Sequence, residues 1–180
     1  MVDIDGVISL FGFAGPTGTS AAPGAAHSTP WSAVSGPRTS GSFHSIDGIP
    51  HFLSSIAAAH LLALSQSFEL VWASGWEEKA NEYLPHLLGL PALPHLSFER
   101  TVGRTNAHWK LDAIEAYAGN RPLAWIDDAF NEACHAWAST RETPTLLVET
   151  APASGLTEHE TETLKRWASS LRDPTDPTFP

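Results

Sequence analysis

The chain has 180 residues, 42% of them hydrophobic and 17% charged, which favours one folded domain with a buried core over a disordered chain. Its formal net charge of -10 argues against electrostatic nucleic-acid binding, so no stable nucleic-acid complex is expected. The single cysteine, Cys134, excludes an internal disulfide and is predicted to be a buried apolar residue of a helix. Without a secretory signal or an apolar run of about 20 residues, we expect a soluble cytoplasmic protein that makes no membrane contact.

The first predicted element is a short buried strand that includes Val2 and Ile4. A buried strand usually runs about five residues, but only Met1 and Val2 precede Asp3. Either the first strand is unusually short or the natural start lies upstream of Met1, and the sequence leaves both alternatives open.

Residues 12–50 are dominated by Gly, Pro, Ser, Thr and Ala, and their apolar residues show no helical periodicity. Residues 31–34 and 42–46 alternate weakly and predict a β-hairpin around Gly36-Pro37, with a tight turn at Asp47-Gly48. A segment this long without regular elements is usually functional or mobile. We therefore predict a hairpin or flap insertion after the first strand, at about residues 9–50.

Beyond Pro50, helical and strand patterns alternate. Helices are predicted at 52–64, 76–88, 109–117 and 130–138. A further helix is predicted to reach about residue 171, and it begins with a capping pattern formed by Thr157 and Glu160. Strands are predicted at 68–73, 96–98, 122–126 and 145–148. This alternation predicts a three-layer α/β/α, Rossmann-like fold with a parallel sheet, formed by one domain at residues 1–172. The tail at 173–180 holds three prolines and is expected to be flexible.

Polar side chains follow the ends of three predicted strands, and one lysine opens a helix. They are Asp3 and Asp5, Ser74-Gly75, Asp127-Asp128, and Lys110. In a parallel sheet, ligands bind beyond the carboxyl ends of the strands, so these groups are expected to converge at one edge.

Converging carboxylates repel: two unit charges about 4 Å apart cost about 4 kcal/mol at an effective dielectric constant near 20. Asp3, Asp5 and Asp127 would therefore need a cation between them, and oxygen-only ligands favour Mg²⁺. One carboxylate can form an aspartyl-phosphate, while a second can protonate the leaving group and then activate water. A hydroxyl and an ammonium, here Ser74 and Lys110, can hold the phosphoryl oxygens. The pattern predicts Mg²⁺-dependent phosphoryl transfer.

In the order of these four motifs the chain resembles the haloacid dehalogenase superfamily. The first motif is Asp-x-Asp-Gly after a hydrophobic strand, here Asp3-Ile4-Asp5-Gly6, and the second is a Ser at a strand end, here Ser74. The third is Lys110, and the fourth is the acidic pair Asp127-Asp128. Residues 72–81 and 88–91 also resemble, more loosely, small bacterial members of the superfamily.

The resemblance implies that Asp3 is the nucleophile and a metal ligand. Asp5 would be the general acid and base, with its backbone carbonyl on the metal. Ser74 would bind phosphate, and Lys110 would stabilise the aspartyl-phosphate. Asp127 would complete the Mg²⁺ site, and Asp128 would support it or bind through water. Asp5 favours phosphatase over dehalogenase chemistry. Apart from the resemblance, Gly75 and Trp76 follow Ser74 directly and are predicted to line the substrate pocket.

The insertion is too rich in Gly and Pro for a helical cap domain, so the site is expected to be open. An open site suits a larger substrate, such as a nucleic-acid end or a phosphoprotein. The expected partner is a phosphorylated small molecule or the phosphorylated end of a macromolecule. Two other functions stay open: a non-catalytic protein of the same fold that binds a phosphorylated ligand or a protein partner, and a phosphotransferase. The substrate and the oligomeric state do not follow from the sequence.

Each motif also has a plainer interpretation. Asp-x-Asp-Gly can be a turn or a calcium-like loop, Ser74 a strand-end cap, Lys110 a solvated charge and Asp127-Asp128 a helix cap. The nine histidines lack metal-ligand spacing, which argues against zinc. His108 is expected on the surface. Among the tryptophans, Trp72 and Trp125 are predicted in the core and Trp31 on the flap.

Overall fold

The computed structural model describes residues 1–12, 39–99 and 106–172. Within these ranges the chain is a mixed α/β protein with five α-helices, a three-stranded antiparallel sheet and a two-stranded parallel sheet. The helices are α1 Ser55–Leu64, α2 Lys79–Leu88, α3 Leu111–Ala118, α4 Glu132–Thr140 and α5 Glu158–Arg172. The strands are β1 Ser9–Leu10, β2 Gly41–Ile46, β3 Ile49–Ser54, β4 Leu123–Asp127 and β5 Thr145–Glu149.

The antiparallel sheet has the order β1-β3-β2, so β3 lies between the other two strands. The turn from β2 to β3 is Asp47-Gly48, whose φ angles of 52° and 79° suit a two-residue hairpin, and the predicted tight turn is confirmed. Residues 42–46 form a strand as predicted, but their partner is β3. Residues 31–34, the predicted partner, lie outside the described residues, and so does Trp31.

The predicted helix at 52–64 begins too early. Phe52 and Leu53 belong to β3, where they pair with Leu10 and Ser9, and α1 begins only at Ser55. Ser54 caps α1, because its side chain accepts a hydrogen bond from the amide of Ala57 at 3.1 Å. The apolar residues at 52–53 fit both the helical and the strand periodicity, and their pairing in the sheet makes them a strand.

The parallel sheet joins β4 and β5, which confirms the predicted strands at 122–126 and 145–148. Isolated parallel bridges extend it on the other side: Val2 pairs with Ile126 and with Trp72, and Trp72 pairs with His95. The amide of Ala73 donates to the carbonyl of Val2 at 2.8 Å. The predicted strand at 68–73 is therefore reduced to one bridging residue, Trp72, and the predicted strand at 96–98 is absent, because the bridge lies at His95.

The core lies against this parallel arrangement. Trp72, Trp125 and Cys134 are all buried, as predicted.

Gly89, with a φ of 68°, ends α2 as expected. The predicted capping pattern is present before α5, since the backbone amide of Thr157 donates to Glu160 Oε2 at 3.0 Å.

In the described ranges no helix has both the length and the apolar character needed to cross a membrane. The longest, α5, has 15 residues and carries charges along its length.

Candidate functional site

The loop after Val2 turns sharply and places two carboxylates at the end of the parallel sheet. The amides of Ile8 and Ser9 both donate to the carbonyl of Ile4 at 2.9 Å, which closes the turn. The amide of Ile4 donates to Asp3 Oδ1 at 2.8 Å and so orients the Asp3 carboxylate. Asp3 is buried, whereas Asp5 is only partly buried.

Lys110 is buried between two carboxylates. Its Nζ lies 2.8 Å from Asp3 Oδ2 and donates to Asp127 Oδ2 at 2.7 Å. Lys110 ends a 3₁₀ turn, Ala107–Lys110, that leads into α3, and its side chain is only 4% exposed. Asp127 is the last residue of β4, and its Oδ1 accepts from the amide of Ala129 at 3.1 Å. A solvated-charge interpretation of Lys110 is therefore wrong.

Asp128 brings a third carboxylate to the same place. One oxygen of each carboxylate of Asp3, Asp127 and Asp128 lies within 4.8 Å of the others. Asp128 approaches the loop closely because Gly6 has no side chain: a Cβ there would lie 2.2 Å from Asp128 Oδ2. Gly6 also has a φ of 69°, a conformation that favours glycine. Its carbonyl accepts a hydrogen bond from Thr150 Oγ1 at 2.9 Å.

This crowding changes the protonation of the site. Burial and the Asp3 charge raise the pKa of Asp127 to about 6, against the effect of Lys110. Burial and the charges of Asp3 and Asp127 raise the pKa of Asp128 to about 6. Burial disfavours a charged Lys110, but the adjacent carboxylates outweigh it and raise the lysine pKa. Three carboxylates thus face one ammonium, an arrangement that favours a bound cation.

The carboxylates open into a cavity of about 300 Å³. Its lining combines the charged groups with aromatic and small residues: Asp3, Asp5, Phe11, Gly75, Asn106, Ala107, Trp109, Lys110, Asp127, Asp128 and Ala129. A cavity of this size accommodates a phosphate group and part of its leaving group.

A larger cavity, about 390 Å³, lies at the opposite end of the parallel strands, beside Val2 and Leu123. Its lining is mostly apolar, and Glu69 is its single carboxylate. Glu69 already accepts hydrogen bonds from Arg121 and Tyr117. The smaller cavity is therefore the better candidate for chemistry, because it gathers the ionisable groups.

Asp5 lines the same cavity, but its carboxylate contacts other side chains than Lys110. Its Oδ2 accepts a hydrogen bond from Trp76 Nε1 at 3.0 Å, and its Oδ1 lies 3.9 Å from His51 Nδ1. Burial and the Asp3 charge raise the pKa of Asp5, against the hydrogen bond from Trp76. A raised pKa suits a carboxyl group that must carry a proton near neutral pH.

The structure places the other predicted site residues as follows. Gly75 lines the cavity, but Ser74 is buried and is not part of the lining. The Ser74 hydroxyl instead faces the amide of Trp76 at 3.5 Å. Trp76 contacts Asp5 through its indole nitrogen. His108 is exposed, as expected, and shares a hydrogen bond with Asn131.

Several residues near the carboxylates do not stand out in the sequence. Phe11, Asn106 and Trp109 line the cavity, and His51 lies against Asp5. His51 comes from β3, far along the chain from Asp5, and its neighbours give no motif. Of these residues, Trp109 could have been found from the sequence, because it directly precedes the predicted site residue Lys110.

Replacing Gly6 with alanine is expected to destabilise the protein by about 1–3 kcal/mol, because the new Cβ would collide with Asp128 and alanine is strained at positive φ. Displacement of Asp128 should also weaken binding at the Mg²⁺ site that the sequence predicts. Urea unfolding and calorimetric Mg²⁺ titration measure the two effects. Gly89→Ala is the matched control, since Gly89 has a φ of 68° and a Cβ there meets no atom of the described residues within 4 Å. Equal losses in both variants would contradict the prediction.

Asp128→Asn is expected to raise the free energy of unfolding of the Mg²⁺-free protein at about pH 7.5 and to change it little at about pH 4.5. The pKa of Asp128 is about 6 in the folded protein and about 3.9 in an unfolded chain. Between these values the folded state holds more protons, so stability falls as the pH rises from about 4 to about 6.

Urea unfolding in EDTA at the two pH values measures this effect. Glu142→Gln removes the same charge from an exposed position and serves as the control. An equal gain at both pH values, or the same pattern in Glu142→Gln, would contradict the prediction.

Comparison of the chain with protein-family models, with curated proteins and with solved structures finds no match.

Proposed function

We propose that the protein is a Mg²⁺-dependent phosphohydrolase that acts through an aspartyl-phosphate on Asp3. The observation that carries the proposal is the cluster of Asp3, Asp127 and the partly buried Asp128, in which Lys110 pairs with the first two. Asp5 lies at the edge of the same cavity. Clustered carboxylates are unfavourable without a cation. A phosphoryl-transfer site is a setting in which such a cluster has a chemical use.

The carboxylate group fits Mg²⁺ well. Ligands on opposite sides of Mg²⁺ lie about 4.2 Å apart, since each bond is about 2.1 Å long. The oxygens of Asp3, Asp127 and Asp128 lie within 4.8 Å of one another, so small side-chain rotations would bring them into coordination. The donors are all oxygens, which favours a hard ion. Asp3 and Asp127 would hold the ion, with Asp128 beside it and the carbonyl of Asp5 available. When bound, the ion supplies neutralisation of phosphoryl charge.

The residues of the chain can then divide the reaction into two steps. In the first, a carboxylate oxygen of Asp3 forms a bond to phosphorus, the bond to the leaving oxygen breaks, and Asp5 gives that oxygen its proton. In the second, Asp5 takes a proton from water, which attacks phosphorus and releases Asp3 and phosphate. Lys110, 2.8 Å from Asp3 Oδ2, supports the developing charge.

The pairing of the parallel segments supports the proposed likeness to the haloacid dehalogenase superfamily and its Rossmann-like sheet. Across the bridges the spatial order is His95, Trp72, Val2, β4 and β5. Numbered along the chain, these segments have the order 3-2-1-4-5, which is the order of a doubly wound sheet. The carboxylates lie at the carboxyl ends of these segments, where such sheets bind ligands.

Release of phosphate from 4-nitrophenyl phosphate, with Mg²⁺ and with EDTA, tests the proposal. We expect release that saturates with substrate, depends on Mg²⁺ and disappears in EDTA. Calorimetry with Mg²⁺ alone checks the metal site independently of activity. Mg²⁺ binding without any release would favour the non-catalytic alternative, and neither binding nor release would contradict the proposal.

A further inference from the structure

Side chains from the β2–β3 hairpin and from the segment before α2 hold Asp5 in place. Trp76 Nε1 donates to Asp5 Oδ2 at 3.0 Å. The His51 ring packs edge-on against the Trp76 ring, with centroids 4.8 Å apart and an angle of 72° between the planes. Ser9 Oγ and His51 Nδ1 share a hydrogen bond of 2.8 Å.

We infer that Trp76 and His51 are positioning residues for the acid–base work of Asp5, and that the β2–β3 hairpin is therefore part of the catalytic site. The inference rests on the proposed function, because it needs Asp5 to transfer a proton. It assigns Trp76 a task different from the substrate contact that its place beside Ser74 predicts.

The chemistry of the indole group decides which oxygen of Asp5 carries the proton. An indole N–H only donates, so Trp76 keeps Asp5 Oδ2 as an acceptor. A proton held by Asp5 then resides on Oδ1. Rotation of the carboxyl group would break the hydrogen bond to Trp76, so this bond fixes the orientation of Oδ1. Fixed donor geometry of this kind is what proton transfer to a leaving group requires.

The hairpin is anchored so that His51 and Trp76 stay together. Asp47, at the hairpin turn, forms an ion pair with Lys79 and accepts a hydrogen bond from Tyr83 Oη at 2.9 Å. Lys79 and Tyr83 lie on α2, which begins just after Trp76. On the other side, β3 pairs with β1, which contains Ser9. The ring of His51 is thus fixed against Trp76 from both ends of the hairpin.

A comparison of two substrates tests the inference. 4-Nitrophenol leaves without being protonated, whereas an alkoxide must receive a proton, so general-acid catalysis matters chiefly for an alkyl phosphate. Trp76→Phe keeps the ring and removes the hydrogen bond to Asp5. We expect its kcat/KM for glycerol phosphate to fall at least ~10-fold more than its kcat/KM for 4-nitrophenyl phosphate, since a well-placed general acid contributes about 10²–10⁴-fold. The ratio kcat/KM covers only the steps through formation of the aspartyl-phosphate, so it excludes the later hydrolysis in which Asp5 acts for both substrates.

Trp137→Phe is the matched control, because Trp137 Nε1 donates to Glu115 Oε2 at the same 3.0 Å but away from the cavity. It is expected to leave both activities unchanged. Equal losses of kcat/KM on both substrates in Trp76→Phe would overturn the positioning role while leaving the proposed function intact. A wild-type protein with no Mg²⁺-dependent release would overturn both.

A second variant keeps the inference testable if Trp76→Phe does not fold. His51→Ala should reproduce the loss that is selective for glycerol phosphate, because Trp76 loses the ring that holds it. His51→Phe keeps a ring that can pack against Trp76 and should restore part of that loss. An alanine variant that loses kcat/KM equally on both substrates, or a phenylalanine variant no better than alanine, would overturn the role of His51.

Discussion

Asp3→Asn is expected to lower kcat for phosphate release by at least ~10³-fold, because it removes the proposed nucleophile of the covalent step. Asparagine has nearly the shape of aspartate, and its amide oxygen can still accept the hydrogen bond from the Ile4 amide. Lys110 loses its contact with the replaced Oδ2 but keeps its ion pair with Asp127. The variant should therefore stay folded. Initial rates at saturating Mg²⁺ measure the loss, and far-ultraviolet circular dichroism checks the fold.

Asp112→Asn is the matched control for this experiment, since Asp112 is exposed in the first turn of α3. It should retain wild-type activity. If Asp3→Asn kept more than about a tenth of the wild-type rate, covalent catalysis at Asp3 would be contradicted.

Lys110→Met is expected to destabilise the Mg²⁺-free protein by about 3–5 kcal/mol near neutral pH, because it leaves buried carboxylates without their ammonium partner. Lys110 Nζ contacts both Asp3 and Asp127, which are themselves buried. Added Mg²⁺ should recover part of the loss, since it supplies positive charge to the same oxygens. Urea unfolding with and without Mg²⁺ measures both quantities.

Lys165→Met is the control for this stability measurement. Lys165 forms an exposed pair with Glu162 at 2.9 Å on α5, and such surface pairs contribute about 0–1 kcal/mol. A loss in Lys110→Met no larger than that in Lys165→Met would contradict the role of the buried pair.

Helix positions follow well from the sequence where local signals are strong. Thr157 and Glu160 form the predicted cap of α5, and Gly89 ends α2. Both signals are local, because the capping bonds join residues three or four apart. Strand limits follow less well. Residues 52–54 look helical by period, but pairing with β1 and β2 makes them a strand, and that pairing depends on distant residues.

The carboxylates of the site were identified from their places after predicted strands, and the structure brings Asp3, Asp127 and Asp128 together. The burial of Lys110 does not follow from its sequence, because a lysine on a helix is usually solvated. Its position depends on the 3₁₀ turn before α3 and on β4, which meet only in the folded chain.

Contacts between distant segments are the part that sequence patterns miss. Trp76 was predicted to face substrate, whereas its indole nitrogen contacts Asp5, and His51 carries no motif at all. Both contacts depend on how the β2–β3 hairpin packs against the segment that precedes α2. Such packing is tertiary and leaves no periodic trace in the chain.

The assignment of Asp3 as the phosphoryl carrier is decided by trapping the intermediate. Asp5→Asn should slow hydrolysis of an aspartyl-phosphate while 4-nitrophenyl phosphate, with its good leaving group, still forms it. Borohydride reduces an aspartyl-phosphate to homoserine, and peptide mass spectrometry locates the product. We predict homoserine in place of Asp3 with Mg²⁺ and unmodified Asp3 in EDTA. Homoserine at a different aspartate, or unmodified Asp3 in a protein that still releases phosphate with Mg²⁺, would contradict the assignment.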